Sequence, residues 1–118
     1  MPLIVHWFKA FLLTLAIEQL AAGWALRRDL TWGRRISIIA VCNIASHPAV
    51  WLVFPELGAG LGWSRLTTLV LSEVWAFGLE ALIYALFLGP GHARKAAYVS
   101  TLANALSLSI GLALPALL

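Results

Sequence analysis

The segment LTTLVLSEVWAFGLEALIYALFL, residues 66–88, decides the fold class of this chain, because it is apolar throughout apart from a few polar positions. A helix that crosses a bilayer needs about 20 predominantly apolar residues, and this segment is long enough. Three further segments share its character and cover residues 3–26, 36–54 and 96–117. The sequence therefore predicts an all-α membrane protein with four transmembrane helices.

Composition supports a lipid environment for the whole chain. Its 118 residues are 62% hydrophobic and only 11% charged, whereas soluble domains carry roughly 25% charged residues. A chain of this length forms one domain, so we expect residues 1–118 to fold as a unit with the lipid bilayer as its surroundings. Cys42 is the only cysteine, which excludes an internal disulfide and a multi-cysteine metal site. A cleaved signal peptide is not expected, because no basic stretch precedes the first apolar run and Glu18 lies within it.

The connections between the predicted helices are short and contain proline, glycine or charged residues, which are typical of breaks between helices. They cover residues 27–35, 55–65 and 89–95. Short connections make consecutive helices antiparallel neighbours, so the expected architecture is an up-down four-helix bundle.

Basic residues indicate the orientation in the membrane. Six of the eight lysine and arginine residues flank the first and third connections: Arg27, Arg28, Arg34, Arg35, Arg94 and Lys95. Because cytoplasmic loops carry an excess of basic residues, residues 27–35 and 89–95 are predicted to be cytoplasmic and both termini to lie outside. We expect the protein to lie in a bacterial inner (cytoplasmic) membrane. The net charge of +3 is explained by these helix ends and does not indicate a nucleic-acid partner.

Several polar side chains lie inside the predicted helices, where ionisable groups are costly and mark functional sites by default. They are Thr14, Glu18, Asn43, His47, Glu73, Glu80, Ser100, Asn104 and Ser107. Within each helix their spacing is three, four or seven residues, which places them on one helical face. Four such faces directed inward would form a polar bundle core.

Depth brings these residues into layers. Glu18, Asn43, Glu80 and Asn104 each lie eight or nine residues from the predicted cytoplasmic end of their helix. At about 1.5 Å rise per residue, all four lie about 12–14 Å deep. Thr14, His47 and Ser107 form a second layer further out, and Glu73 lies nearer the outer surface.

The carboxyl groups have no lysine or arginine at their own depth, and His47 is the only candidate partner. Glu18, Glu73 and Glu80 must therefore be protonated, bind a cation or meet water. Carboxylate, imidazole and amide oxygen would also suit a metal ion held by Glu18, His47 and Glu80, although no motif identifies the metal. Pro48 after His47 predicts a kink, which is either a packing feature or the lining of a cavity.

Three functions fit this pattern. The first is a transport or permeation module that binds a proton or small cation at Glu80, His47, Glu18 and Asn43, with homo-oligomerisation expected because four helices leave little room for a solvated path. The second is a non-catalytic accessory subunit of a larger membrane complex, in which the polar core fixes packing or contacts a cofactor or lipid. The third is an intramembrane enzyme with Glu and His as acid–base groups or metal ligands. It is the least favoured, since the chain has no nucleophile motif and no HExxH.

Overall fold

A computed structural model describes residues 3–113, which form a bundle of four long helices and, within that range, no strands. Their bounds are Leu3–Ala25 for α1, Trp32–Leu61 for α2, Arg65–Leu88 for α3 and Ala93–Ala113 for α4. Each helix is long and apolar enough to cross a membrane. The predicted fold class is therefore confirmed.

The four helices are arranged in a ring. Helix α1 packs against α2 and α4, and α3 packs against the same two neighbours. Residues 26–31, 62–64 and 89–92 connect consecutive helices. Because these connections are short, consecutive helices run antiparallel, as the up-down prediction requires.

Helix α2 is longer than predicted. It begins at Trp32 rather than at residue 36, and it continues to Leu61 rather than ending at residue 54. Pro55 does not end it, because this proline lies in the first turn of a new α-helical segment, where its missing N–H leaves no bond unmade. The helix ends at Gly62, whose φ of 73° is the left-handed conformation that glycine adopts readily.

The other helix boundaries differ less. Helix α3 begins after Ser64, whose hydroxyl accepts a hydrogen bond of 3.0 Å from the Thr67 backbone N–H and so caps the helix. Helix α4 begins at Ala93 rather than at residue 96. Its predicted end at residue 117 lies outside the described residues.

Pro48, the proline predicted to kink α2, is followed by a change in helix type. The chain is α-helical over Trp32–Pro48, π-helical over Ala49–Val53 and α-helical again over Phe54–Leu61. The Phe54 N–H bonds to the Ala49 carbonyl, which is the wide hydrogen-bonding pattern of a π-turn. Such turns are frequent at functional sites, and this one presents Val50 and Trp51 to an internal cavity.

One half of the bundle has a closed apolar core at the end where α1 joins α2 and α3 joins α4. We call this part the closed half. Its buried side chains are Ala22, Ala25, Leu26, Ile38, Ile39, Cys42, Tyr84, Ala96, Val99 and Ala103. Several are alanines, and small side chains let membrane helices approach closely. None of these ten side chains lines the cavity described below.

Candidate functional site

The other half of the bundle, which we call the open half, contains a cavity of about 700 Å³ between the four helices. A pocket of this volume is typical of small-molecule sites, which measure about 300–1,000 Å³. Its inner end is lined by Glu18, Asn43, Glu80 and Asn104, one residue from each helix. Its rim includes Arg65, which is solvent-exposed at the connection between α2 and α3. The cavity therefore reaches the surface at that end.

Glu18 and Glu80 form the centre of the site. Each is only 1% exposed, and the two carboxyl groups interact electrostatically with each other. The Ser46 hydroxyl donates a hydrogen bond of 3.0 Å to Glu80 Oε2, and the Ser107 hydroxyl donates one of 3.4 Å to Glu18 Oε1. The other oxygens, Glu18 Oε2 and Glu80 Oε1, have no hydrogen-bond partner within residues 3–113. Because the two carboxyl groups lie against each other, a shared proton or another cation would give these oxygens a partner.

The two asparagines of the same layer lie close to the carboxyl pair, Asn43 near Glu18 and Asn104 near Glu80. Their side-chain N–H groups, however, donate along their own helices. Asn43 Nδ2 bonds to the Ile39 carbonyl at 2.9 Å, and Asn104 Nδ2 bonds to the Ser100 carbonyl at 2.9 Å. Each amide therefore spends one N–H on its own helix, and Asn43 keeps a second N–H donor beside Glu18.

Within residues 3–113, no lysine or arginine forms an ion pair with Glu18 or Glu80. In the described part of the chain the sole ion pair joins Lys95 Nζ and Asp29 Oδ2 at 3.3 Å, at the far end of the closed half. Arg65 lines the rim of the cavity, about 22 Å from Glu80 along α3 at 1.5 Å per residue. The predicted absence of a lysine or arginine partner at this depth therefore holds for residues 3–113.

His47 lies in the same cavity but not beside the glutamates. Its ring centroid is 5.5 Å from that of Phe11, 6.3 Å from Trp7 and 6.4 Å from Trp51. Among the described residues no hydrogen bond or ion pair joins His47 to a glutamate, and its buried Nδ1 has no partner. The expected pairing of His47 with Glu18 and Glu80 is thus not seen among the described residues: His47 lies one helical turn beyond Asn43, and its ring packs against aromatic neighbours from α1 and α2.

The position of His47 also bears on the predicted metal site. Within residues 3–113, no group of three His, Cys, Asp or Glu side chains is arranged to hold a metal ion. Glu18 and Glu80 approach each other, but His47 does not complete a ligand set with them. The geometry therefore does not support a metal centre built from these three residues.

The remaining predicted residues separate into two groups. Thr14, Glu73 and Ser107 line the cavity, and Glu73 is half-buried towards its open end. Ser100 does not line it: this fully buried hydroxyl donates a hydrogen bond of 2.8 Å to the Phe77 carbonyl, so it joins α4 to α3. Ser100 is therefore a packing residue, as one interpretation of the polar seam allowed.

Sequence reasoning missed two residues next to the carboxyl pair. Ser46 binds Glu80 and follows Asn43 by three residues, so the helical spacing that identified Asn43 also identifies Ser46. Tyr84 follows Glu80 by four residues and lies on the same face. It is fully buried beside Cys42, and its hydroxyl has no hydrogen-bond partner within the described chain. Tyr84 marks the boundary between the cavity and the closed half.

The fold and the site together define a class: a four-helix bundle built to span a membrane, with a polar cavity entered from one end. The sequence matches no known protein family, and no curated protein or solved structure gives a match. The proposal for its function therefore rests on the residues of the site.

Proposed function

We propose that this chain is a small membrane transport or permeation module that binds a proton or a monovalent cation at the Glu18–Glu80 pair. The observation that carries the proposal is the pair itself, buried at the inner end of an open cavity with two free oxygens and no basic partner. Two ionised carboxylates side by side repel strongly where little water screens them. A proton or another cation between them removes that repulsion.

The cavity supplies the route to the pair. A cation entering past Arg65 meets Glu73 and then the hydroxyl groups of Thr14 and Ser107 before it reaches Glu80. Beyond Glu80 the route ends at Tyr84 and the apolar core. A pathway open on one side and closed on the other is the arrangement that alternating access requires. Transport would then need the closed half to separate.

Orientation belongs to the same proposal. Six basic residues lie at or near the ends of the helices around the closed half, in and beside residues 26–35 and 89–95. The positive-inside rule favours a cytoplasmic location for that end, with the cavity opening outwards, and we keep the bacterial inner membrane as the proposed location. In a Cys42→Ala background, Ala59→Cys should react with a membrane-impermeant maleimide added outside intact cells. Labelling from the cytoplasmic side alone would reverse the orientation.

The main competing explanation is that the polar side chains only hold the helices together by hydrogen bonds. That role would suit an accessory subunit of a larger complex. It accounts for Ser100, whose hydroxyl is fully used between two helices. It does not account for Glu18 and Glu80, because interhelical hydrogen bonds contribute only about 0.6 kcal/mol on average and do not call for two buried carboxyl groups with unused oxygens. The open cavity beside them favours a ligand.

The deciding experiment measures proton, Na⁺ and K⁺ flux into liposomes that contain the purified protein. Glu80→Gln keeps the shape and polarity of the side chain but removes its ionisable group, so flux should fall to the level of empty liposomes. Glu56→Gln is the matched control, because Glu56 is exposed on α2 and does not line the cavity, and its flux should equal that of the wild type. Full activity of Glu80→Gln, with Glu80→Leu disrupting the fold, would favour the packing explanation instead.

A further inference from the structure

The cavity is larger than a proton or a bare metal ion needs. Its volume is about 700 Å³, whereas one water molecule takes up about 30 Å³ of liquid volume. A small cation with a few waters would fill only the inner end, next to Glu18 and Glu80. The space between the carboxyl pair and the rim therefore has room for a second part of a larger ligand.

Aromatic rings line one side of that space. We define the aromatic wall as Trp7, Phe11, His47 and Trp51, whose rings contact one another in series. His47 and Trp51 line the cavity directly, and their rings lie nearly parallel, with an interplanar angle of 21°. Trp7 and Phe11 pack behind His47. The π-turn of α2 contains Trp51, so this irregular backbone presents part of the wall.

The charges along the cavity select the sign of the ligand. Its lining contains three acidic residues, Glu18, Glu73 and Glu80, and one arginine, Arg65, which lies at the rim. An anion would meet carboxyl groups along the inner part of the cavity. A metal ion would lack a ligand set there, within the described residues. The class of ligand that remains is a cation with an attached hydrocarbon group.

We infer that the cavity binds an organic ammonium ion, with its N–H groups on Glu18 Oε2 and Glu80 Oε1 and its hydrocarbon part along the aromatic wall. The inference rests on the proposed function, because it uses the same carboxyl pair and names the substrate class. The free oxygens are hydrogen-bond acceptors, so an ammonium that carries N–H donors suits them better than a quaternary one. The rings of the aromatic wall add apolar and ring–ring contact to the hydrocarbon part of the ligand.

The test compares three ligands on the full chain in lipid nanodiscs by isothermal titration calorimetry, with empty nanodiscs subtracted. The 2-phenylethylammonium ion carries both the charge and the ring, methylammonium carries the charge alone, and 2-phenylethanol carries the ring without the charge. We expect 2-phenylethylammonium to bind about tenfold more tightly than methylammonium, a difference of about 1.4 kcal/mol, because buried ring contacts contribute on this scale. We expect it to bind about 100-fold more tightly than 2-phenylethanol, because charged hydrogen bonds to carboxylates are strong.

Two variants and a control assign the contacts. Glu80→Gln should abolish the advantage of 2-phenylethylammonium over 2-phenylethanol. Trp51→Leu should weaken binding of 2-phenylethylammonium about tenfold and reduce its advantage over methylammonium. Trp75→Leu is the matched control, because Trp75 packs against Phe54 with ring centroids 6.2 Å apart and does not line the cavity. Its affinities should equal those of the wild type.

The possible failures are distinguishable. Equal affinity for 2-phenylethylammonium and methylammonium would overturn the organic ligand while leaving a small-cation site. No binding of either amine, together with Glu80-dependent proton or Na⁺ flux in liposomes, would overturn this inference and leave the proposed function standing. No amine binding and no Glu80-dependent flux would overturn both.

Discussion

The closed and open halves of the bundle are built from the same four helices, yet they pack differently. In the closed half, alanines on α1 and α4 let the helices meet, and Leu26, Ile39 and Tyr84 fill the space between them. In the open half, the inward positions are mostly polar or aromatic, and a cavity of about 700 Å³ remains between the helices.

Hydrogen bonding differs in the same way. Ser100, beside the closed core, has its hydroxyl bonded to the Phe77 carbonyl on the neighbouring helix. Glu18 and Glu80, in the open half, each keep one carboxyl oxygen without a partner in the described chain. Buried polar groups are normally paired, and within the described chain the unpaired carboxyl oxygens lie beside the cavity, whereas the closed core has one unpaired hydroxyl, that of Tyr84 at its boundary. The difference supports the proposal that the open half is the part that binds a ligand.

The largest expected effect comes from placing the same larger side chain in each half. Ala22 is fully buried in the closed core, and Ala22→Leu should lower the free energy of unfolding by about 1–3 kcal/mol, because the added atoms have no space. Ala76 lines the cavity, so Ala76→Leu should leave stability nearly unchanged while it reduces cation flux. Denaturant unfolding in detergent micelles measures the first, and liposome flux the second. Equal destabilisation by both variants would contradict the division into halves.

A smaller effect is expected where the open half is tight. A Cβ at Gly58 of α2 would collide with Thr68 Oγ1 on α3, and Thr68 is held by a hydrogen bond of 3.0 Å to the Ser64 carbonyl. Gly58→Ala should therefore destabilise the protein by about 1–2 kcal/mol in the same unfolding assay. Adding Thr68→Ala removes the colliding atoms and should restore part of the loss. No rescue by the second change would show that the helices are not in contact at this point.

The smallest expected changes in stability distinguish a hydroxyl that forms an interhelical hydrogen bond from one that does not. Ser100→Ala removes an interhelical hydrogen bond, so the free energy of unfolding should fall by about 0.6 kcal/mol. Tyr84→Phe removes a hydroxyl whose one polar neighbour within residues 3–113 is the weakly bonding Cys42 thiol, so stability should change less than in Ser100→Ala. Paired unfolding curves of the two variants provide the measurement. A larger loss for Tyr84→Phe would mean that this hydroxyl has a partner in the membrane-bound protein.

The helices and the carboxyl layer could be predicted from the sequence because they depend on local properties. Apolar length identifies a spanning helix, and the rise per residue places Glu18, Asn43, Glu80 and Asn104 at one depth without knowledge of packing. The extension of α2 past Pro55 was missed, since proline and glycine usually mark breaks but here the proline begins a helical segment.

The surroundings of His47 and the cavity itself could not be predicted. The ring of His47 is oriented by Trp7 and Phe11, which lie on another helix, so no spacing within α2 reveals its neighbours. A cavity is the space that side chains fail to fill, and it depends on how far apart the helices settle. The charge content of the cavity was visible in the sequence, while its volume and its aromatic wall required the coordinates.

The one-sided cavity also has an electrical consequence. If solvent fills the cavity from the rim, the electrical potential at Glu80 would equal that of the solution on the rim side. Most of the transmembrane voltage would then drop across the closed half. An elementary charge moved through the full potential gains or loses about 2.3 kcal/mol per 100 mV. A cation would then reach the carboxyl pair almost without sensing the voltage, and its passage past Tyr84 would generate nearly all of the current. We expect cation binding to be insensitive to a K⁺ diffusion potential imposed on liposomes and net uptake to respond steeply to it; voltage-sensitive binding would contradict this division of the field.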